Sequence, residues 1–259
     1  MKTLKVIKIG GNIINNEVDL LSFLKGFSNL IGPKILVHGG GKLASNLSNK
    51  MNIPVQLIDG RRVTNAETLD IATMVYAGKI NKNIVAKLQS FGCNSVGFSG
   101  ADGNTIIANK RPETPINYGF AGDIVKVNID VLKILINNDI TNIFSAISHD
   151  KKGQLLNTNA DTVASELAIA FSNDYKVELY YCFEKKGVLK RMNDENSVIK
   201  KINNKKYIEL KKSNIINEGM IPKLDNCFYA LDHNVSKVCI GQPTMLFDHH
   251  SNFTTIQKL

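Results

Sequence analysis

The chain has no tryptophan, and its four cysteines, Cys93, Cys182, Cys227 and Cys239, never form a C-x-x-C pair. They stand in apolar or helical contexts, so buried reduced thiols are expected rather than disulfides. The five histidines (His38, His149, His233, His249 and His250) show no metal-ligand spacing with them, which argues against a structural zinc site. No apolar run is long enough to span a bilayer. Nor does the chain begin with the basic, apolar and then small-residue order of a signal peptide, so a cytoplasmic protein is expected. The net charge of +9 lacks the arrangement that nucleic-acid binding needs. Lysines are dispersed, often beside asparagine and isoleucine as in Asn203-Asn204-Lys205-Lys206, and no stripe pairs aromatics with arginine. The excess of positive charge suits the attraction of small anionic substrates.

What the chain does have is glycine at the ends of strands. Val6-Ile7-Lys8-Ile9 reads as a buried strand that stops at Gly10-Gly11, and Ile35-Leu36-Val37-His38 stops at Gly39-Gly40-Gly41. Between them, Leu20, Leu21, Leu24, Phe27 and Leu30 recur at a helical period from Glu17 to Leu30, and Gly32-Pro33 ends that helix. A second helix runs from Gly40 to Met51. This βαβα opening predicts a parallel sheet covered by helices.

Farther on, Val55–Ile58 and Arg62-Val63 suggest a hairpin around Asp59-Gly60. Thr64-x-x-Glu67 reads as a capping box for a helix that Gly78 interrupts and that resumes over Lys79–Gln89. Strands are expected at Asn94–Gly100, Thr105–Ala108, Gly119–Val127 and Ile140–Ile147, with a helix over Ile129–Ile136. Asn157-Thr158-Asn159-Ala160-Asp161 leads into a helix over Thr162–Phe171. Asn173-Asp174 marks a lobe boundary, giving residues 1–172 and 173–259. Past it come a strand at Lys176–Cys182, an exposed hairpin or loop from Asp194 to Lys206, helices at Ile208–Ile215 and Pro222–Leu231, and a strand at Ser236–Ile240.

A glycine turn between strand and helix aims backbone N–H groups and the helix dipole at an anion. Two such turns on adjacent parallel strands point to a phosphate site. Neither turn reads G-x-G-x-x-G or G-x-x-x-x-G-K-[ST], so a dinucleotide site or a Walker-type NTPase is not supported. Lys8 is costly in a doubly buried strand unless it is paired or faces a cleft. In Gly219-Met220-Ile221-Pro222-Lys223, Lys223 falls near the positive end of a helix, a poor place for a cation unless a phosphate arrives there. Two lysines at one phosphate repel each other, and Asp161 is the carboxylate that could hold both. Arg62 is either a clamp for a substrate carboxylate or a surface charge.

In this order and spacing, these motifs resemble the amino acid kinase superfamily, and within it the branch acting on N-acetyl-L-glutamate. The resemblance covers Lys8 to about Ile240. It rests on Ile7-Lys8-Ile9-Gly10-Gly11, Val37-His38-Gly39-Gly40-Gly41, Gly60-Arg61-Arg62-Val63-Thr64, Phe98-Ser99-Gly100-Ala101-Asp102-Gly103, Asn157-Thr158-Asn159-Ala160-Asp161 and Gly219-Met220-Ile221-Pro222-Lys223. It implies a three-layer αβα sandwich with a mainly parallel sheet. The first lobe would bind the amino-acid substrate and dimerise, and the second would bind ATP, with Mg²⁺ held mainly by the nucleotide phosphates.

The implied reaction moves the γ-phosphoryl of ATP to the γ-carboxylate of N-acetyl-L-glutamate, a step of arginine biosynthesis. By matching motif positions, Lys8 and Lys223 would stabilise the moving phosphoryl and Asp161 would orient them. Gly40, Gly41, Arg62 and Asn157 would hold the amino acid, while Gly10, Gly11, Phe183, Glu184, Gly187, Gly219 and Met220 would meet the nucleotide. Two stretches depart from the family pattern. Phe183-Glu184-Lys185-Lys186-Gly187-Val188 stands where a Thr/Ser-Asp-Val-x-Gly turn is usual. Ile147-Ser148-His149-Asp150 replaces a small-residue turn near the acyl group, which makes N-succinyl-L-glutamate an alternative substrate. Another small carboxylate or carbamate is a more distant one. A homodimer insensitive to arginine is expected, because no helical extension precedes the first strand.

Overall fold

Runs of strands alternate with runs of helices along the chain. The computed structural model describes all residues except Asp59, Met192, 217–219, His249 and Leu259. Its first half runs β1 (Thr3–Ile9), α1 (Gly11–Asn15), α2 (Glu17–Ser28), β2 (Lys34–His38), α3 (Gly41–Lys50), β3 (Leu57–Ile58), β4 (Arg61–Arg62) and α4 (Ala66–Thr73). A π-helical segment (Met74–Ile80) joins α4 to α5 (Asn81–Ser90). Then come β5 (Ser95–Phe98), β6 (Ile106–Lys110), β7 (Gly122–Val127), α6 (Asp130–Asn137), β8 (Thr141–Ser145), β9 (Ile147–His149), β10 (Leu155–Asn157) and α7 (Ala160–Phe171). The chain closes with β11 (Lys176–Cys182), β12 (Lys201–Ile202), α8 (Asn204–Lys212), α9 (Ile221–Asp232), β13 (Lys237–Gly241) and β14 (Thr254–Ile256).

Among the described residues, eight strands form one sheet in the order β12-β14-β13-β11-β1-β2-β8-β5. Every neighbouring pair is parallel except β13 with β14. The first strand lies in the middle because it is apolar on both faces. Leu4 and Val6 join the core beneath α7 and α9, while Ile7 and Ile9 join the core beneath α2 and α5. These are the three αβα layers that the sequence implied. Strand period then places Lys8 on the α7/α9 face, with Leu4 and Val6. The main sheet is continuous across Asn173-Asp174, since β1 pairs along its whole length with β11. A smaller sheet, β10-β9-β6-β7, and the hairpin β3-β4 flank the ends of β2 and β8.

Several local expectations need correction. The residue capping α4 is Asn65, whose side chain accepts from the Thr68 N–H, and not Thr64. Thr64 is taken up by a bridge to Gly119 and by the amide of Asn157. Gly78 does not interrupt its helix; the chain widens into π turns there and continues. The expected strand Ile140–Ile147 is two strands, because Ala146 is the point at which the chain leaves the main sheet for the small one. Helix α8 begins earlier than Ile208, where Asn203 caps it. The short strands β12, at the edge, and β14, next to it, carry too little apolar pattern to be read from the sequence. The four cysteines are buried and unpaired, and among the described residues no helix is long and apolar enough to cross a membrane.

Candidate active site

The site forms at the carboxyl ends of the central parallel strands, where a doubly wound sheet opens a crevice. From the β1 face, the Lys8 ammonium reaches the Asp161 carboxylate, with Nζ 2.7 Å from Oδ1. From α9, Lys223 Nζ lies 2.5 Å from Oδ2 of the same carboxylate. Asp161 sits in the first turn of α7, where the Asn159 side chain caps the helix by accepting from the N–H groups of Asp161 and Thr162. The Tyr181 hydroxyl donates to the Asp161 carbonyl at 3.1 Å and ties α7 to β11. Pro222 occupies the first turn of α9 and leads the chain to Lys223.

Burial alone would push the Asp161 carboxyl up, but the Lys8 and Lys223 ammonium groups outweigh it and hold the acid well below the usual carboxylate range. Burial lowers the Lys8 pKa; Asp161 opposes that shift and Lys223 adds to it. The carboxylate therefore holds two cations that would otherwise repel, and each keeps donors for an incoming anion.

Two glycine turns border this cluster. The Gly10 N–H donates to the Cys182 carbonyl at 3.2 Å, fastening the end of β1 to β11, and Gly11 opens α1. On the next strand Gly40 precedes α3. A Cβ there would stand 2.4 Å from Ile80 Cδ1 and 2.7 Å from Tyr76 Cδ1, so no larger residue fits without repacking. His38 fixes the same turn. Its Nδ1 is 2.9 Å from the Gly39 carbonyl, and its Nε2 is 3.0 Å from Asn81 Nδ2, which also donates to the Ile143 carbonyl. Those partners select the neutral imidazole with the proton on Nδ1. Burial lowers the His38 pKa to about 4, against the smaller opposing pull of the Gly39 carbonyl.

A cleft of about 210 Å³ runs from these turns past Leu57, Arg61, Arg62, Tyr76, Arg111, Gly122 and Ala146 to Asn157, Thr158, Asn159 and Ala160. It ends next to the charged cluster, since Asp161 directly follows Ala160. Arg62 Nη2 donates to the Gly41 carbonyl at 2.8 Å and to Ser45 Oγ at 2.7 Å, while Nη1 is buried with no partner among the described residues. A buried guanidinium nitrogen left unmatched is costly, and a ligand carboxylate would satisfy it. Asn157 donates its amide to Thr64 Oγ1 at 3.0 Å, which leaves the side-chain oxygen as an acceptor.

Of the residues expected to hold the amino acid, Gly40, Gly41, Arg62 and Asn157 thus share one cleft. The sequence reading missed Tyr76, Arg111 and Thr158. Arg111 is fixed by a two-pronged pair with Asp123, its Nε 3.1 Å from each carboxylate oxygen, and it stacks on Tyr118. Thr158 Oγ1 is 2.6 Å from Ser148 Oγ. No local motif announces Tyr76, which the π-helical segment supplies, or Arg111, which the pairing of β6 with β7 brings to the cleft. Thr158 stands inside the Asn157–Asp161 motif, but its Ser148 partner on β9 is distant in sequence.

Of the residues expected at the nucleotide, Phe183, Gly187 and Met220 line a smaller recess of about 60 Å³ with Lys185, Ile215 and Ile216. Gly187 is required there, since a Cβ would stand 2.6 Å from Thr254 Oγ1. Glu184 lies outside that lining, and its carbonyl accepts from Gln242 Nε2 at 2.8 Å. Gly219 lies outside the described residues. Among the described residues, no three His, Cys, Asp or Glu side chains converge as metal ligands.

The chain is 53% identical over 249 residues to an acetylglutamate kinase of Cytophaga hutchinsonii, covering 96% of this chain and 94% of that one. It is 44% identical over 255 residues to an acetylglutamate kinase of Bacteroides thetaiotaomicron, covering 98% of both. Among solved structures, a protein of Streptococcus mutans UA159 superposes with a TM-score of 0.82 at 27% identity, covering 98% of each chain. Carbamate kinase of Giardia lamblia, bound to AMP-PNP, shares the fold at a TM-score of 0.74 and 14% identity, covering 100% of this chain and 99% of that one. The profile of the Amino acid kinase family matches residues 3–242, and the chain belongs to that family.

Proposed function

We propose that the protein is an ATP-dependent N-acylglutamate kinase that phosphorylates the γ-carboxylate of N-acetyl-L-glutamate, a step of arginine biosynthesis. The observation that carries this reading is the Lys8–Asp161–Lys223 cluster at the end of a cleft lined by Arg62 and Asn157. The names and high identity of the relatives support it.

In this reading a γ-carboxylate oxygen attacks the γ-phosphorus of ATP. The new O–P bond forms as the bond to the β–γ bridging oxygen breaks, giving an acyl phosphate and ADP. The attacking carboxylate is already ionised at neutral pH, so no general base is needed. Phosphoryl transfer depends on positioning and charge neutralisation. Lys8 and Lys223 meet the equatorial oxygens from opposite sides, and Asp161 holds both ammonium groups in place before the substrates arrive. Gly11 offers its N–H to the nucleotide phosphates from the turn that Gly10 fastens to β11, and Gly40 and Gly41 offer theirs to the substrate. Arg62 holds the α-carboxylate, and the Asn157 oxygen accepts from the acyl amide N–H. Phe183, Glu184, Gly187, Gly219 and Met220 form the nucleotide end. Mg²⁺ bound to the ATP phosphates would neutralise part of their charge. Asp161 is already committed to two lysines, so the nucleotide itself would be the main Mg²⁺ ligand. The lobes 1–172 and 173–259 carry the amino acid and ATP respectively, and the protein acts as a homodimer.

One observation favours a second acyl group. Arg111 adds a guanidinium to a cleft that already holds Arg61 and Arg62. N-Succinyl-L-glutamate carries one more carboxylate than N-acetyl-L-glutamate, and that carboxylate would accept from Arg111 Nη1, the guanidinium nitrogen that Asp123 does not engage. ADP release with MgATP, measured across N-acetyl-L-glutamate, N-succinyl-L-glutamate, L-glutamate, L-aspartate and carbamate, tests both readings. Turnover with an N-acylglutamate is expected, and its preference identifies the acyl group. Turnover with carbamate or a free amino acid alone would move the protein to another branch of the family.

A further inference from the structure

The π-helical segment Met74–Ile80 lies against the amino-acid cleft, and its geometry decides which side chains reach it. In an α-helix, residues five apart point about 140° away from each other. Here Tyr76 and Asn81 are five apart, yet both face the glycine turn after β2. Asn81 holds His38 from one side, and Tyr76 packs beneath Gly40. The i→i+5 pattern of a π-helix sets such residues one above the other, and that is the segment's effect here. Ile80 joins Tyr76 beneath Gly40.

Tyr76 is only 5% exposed, and it lines the cleft. Its ring forms the floor of the glycine turn. Its hydroxyl lies 3.9 Å from where a Cβ on Gly41 would be, and Arg62 Nη2 lies 3.8 Å from the same point. Hydroxyl and guanidinium therefore converge on one edge of the cleft. Burial keeps the phenol protonated at neutral pH, with Arg62 opposing that shift only in part. A neutral O–H donor consequently stands beside a fixed cation whose Nη1 has no partner among the described residues.

We propose that Tyr76 is a substrate-binding residue whose hydroxyl donates to the same carboxylate that Arg62 holds, delivered there by the π-helical turn. This rests on reading the cleft as the N-acylglutamate site. The two donors contribute differently. Arg62 supplies charge, and Tyr76 fixes which carboxylate oxygen faces the glycine turn. A phenylalanine keeps the floor and removes only the donor.

The test is steady-state kinetics of the full-length protein and its Tyr76→Phe and Tyr76→Leu variants, varying N-acetyl-L-glutamate at saturating MgATP and then the reverse, with Tm measured for each. The loss of one hydrogen bond to a charged partner predicts that Tyr76→Phe raises KM for the amino acid about ten-fold. Its KM for ATP, kcat and Tm should stay close to those of the unsubstituted protein. Tyr76→Leu should show the same KM increase and, with the ring gone from beneath Gly40, a lower Tm as well. An unchanged amino-acid KM in Tyr76→Phe would overturn the proposal. So would equal shifts in both KM values together with a lower Tm, because the hydroxyl would then serve only the fold. If the unsubstituted protein turns over no N-acylglutamate, the reading of the cleft fails and this inference fails with it.

Discussion

The two ends of the site solve the problem of buried charge in opposite ways. At the Lys8–Asp161–Lys223 end, each carboxylate oxygen already has an ammonium partner at 2.7 or 2.5 Å. At the cleft end, Arg62 satisfies only part of its guanidinium from the protein and leaves Nη1 buried without a partner among the described residues. The first end is assembled before any substrate arrives; the second is completed by one. A phosphoryl group in flight is loosely bonded and gains most from charges already in place. A ground-state carboxylate, by contrast, can supply the missing half of its own site. The glycine turns lie between the two, and the neutral His38 network holds the one after β2.

The largest expected effect comes from uncoupling the assembled end. Asp161→Asn removes the charge that holds two cations together. It should lower kcat by a factor on the order of 10²–10³. Stripping a buried ion pair of one partner should also cost about 3–5 kcal/mol of stability in denaturant titration. A variant with near-normal kcat would break the comparison, because the lysines would then need no shared counter-ion.

The turn between the two ends should reveal itself through pH. His38 is a base whose folded pKa is lowered to about 4 from 6.5. Between those values the unfolded chain takes up a proton that the folded chain refuses, so stability falls as pH drops from 6.5 towards 4. The full effect is about 3 kcal/mol at most. His38→Gln should flatten that part of the stability curve. The loss from Asp161, whose folded pKa is also depressed, begins only as pH falls through the ordinary carboxylate range. An unchanged slope in the His38 variant would show that the turn does not depend on a neutral imidazole.

A smaller effect is expected at the open end. Arg62→Lys keeps the charge but loses the fork that spans Gly41, Ser45 and the ligand. KM for the N-acylglutamate should rise by roughly 10-fold, with kcat and the KM for ATP nearly unchanged. A matching loss in kcat would mean that Arg62 belongs with the assembled end.

Much of this could be read in the sequence where one local rule was sufficient. Apolar β-branched runs stopping at Gly10 and Gly39 announced β1 and β2, and an unpaired Lys8 inside the first strand announced a charged partner. The order of motifs was enough to bring Lys8, Asp161 and Lys223 to one site. The residues that escaped depend on contacts distant in sequence or on unusual helix geometry. Arg111 enters the cleft only because β6 and β7 pair, which sets Asp123 opposite Asn109 and within reach of the Arg111 guanidinium. Tyr76 faces the glycine turn only because the helix widens, and glycine at position 78 looks like a break rather than part of a continuous π-helical path. Thr64 looked like a cap but was claimed by a cross-sheet bridge, which leaves capping to Asn65.

The most direct test of the central claim is trapping of the acyl phosphate with hydroxylamine, using MgATP and N-acetyl-L-glutamate, in the unsubstituted protein and in Lys223→Ala. The account predicts hydroxamate in step with ADP release. It also predicts a loss on the order of 100-fold or more in Lys223→Ala, while N-acetyl-L-glutamate still binds in calorimetry. Undiminished hydroxamate in that variant, or ADP release with no hydroxamate in the unsubstituted protein, would contradict it.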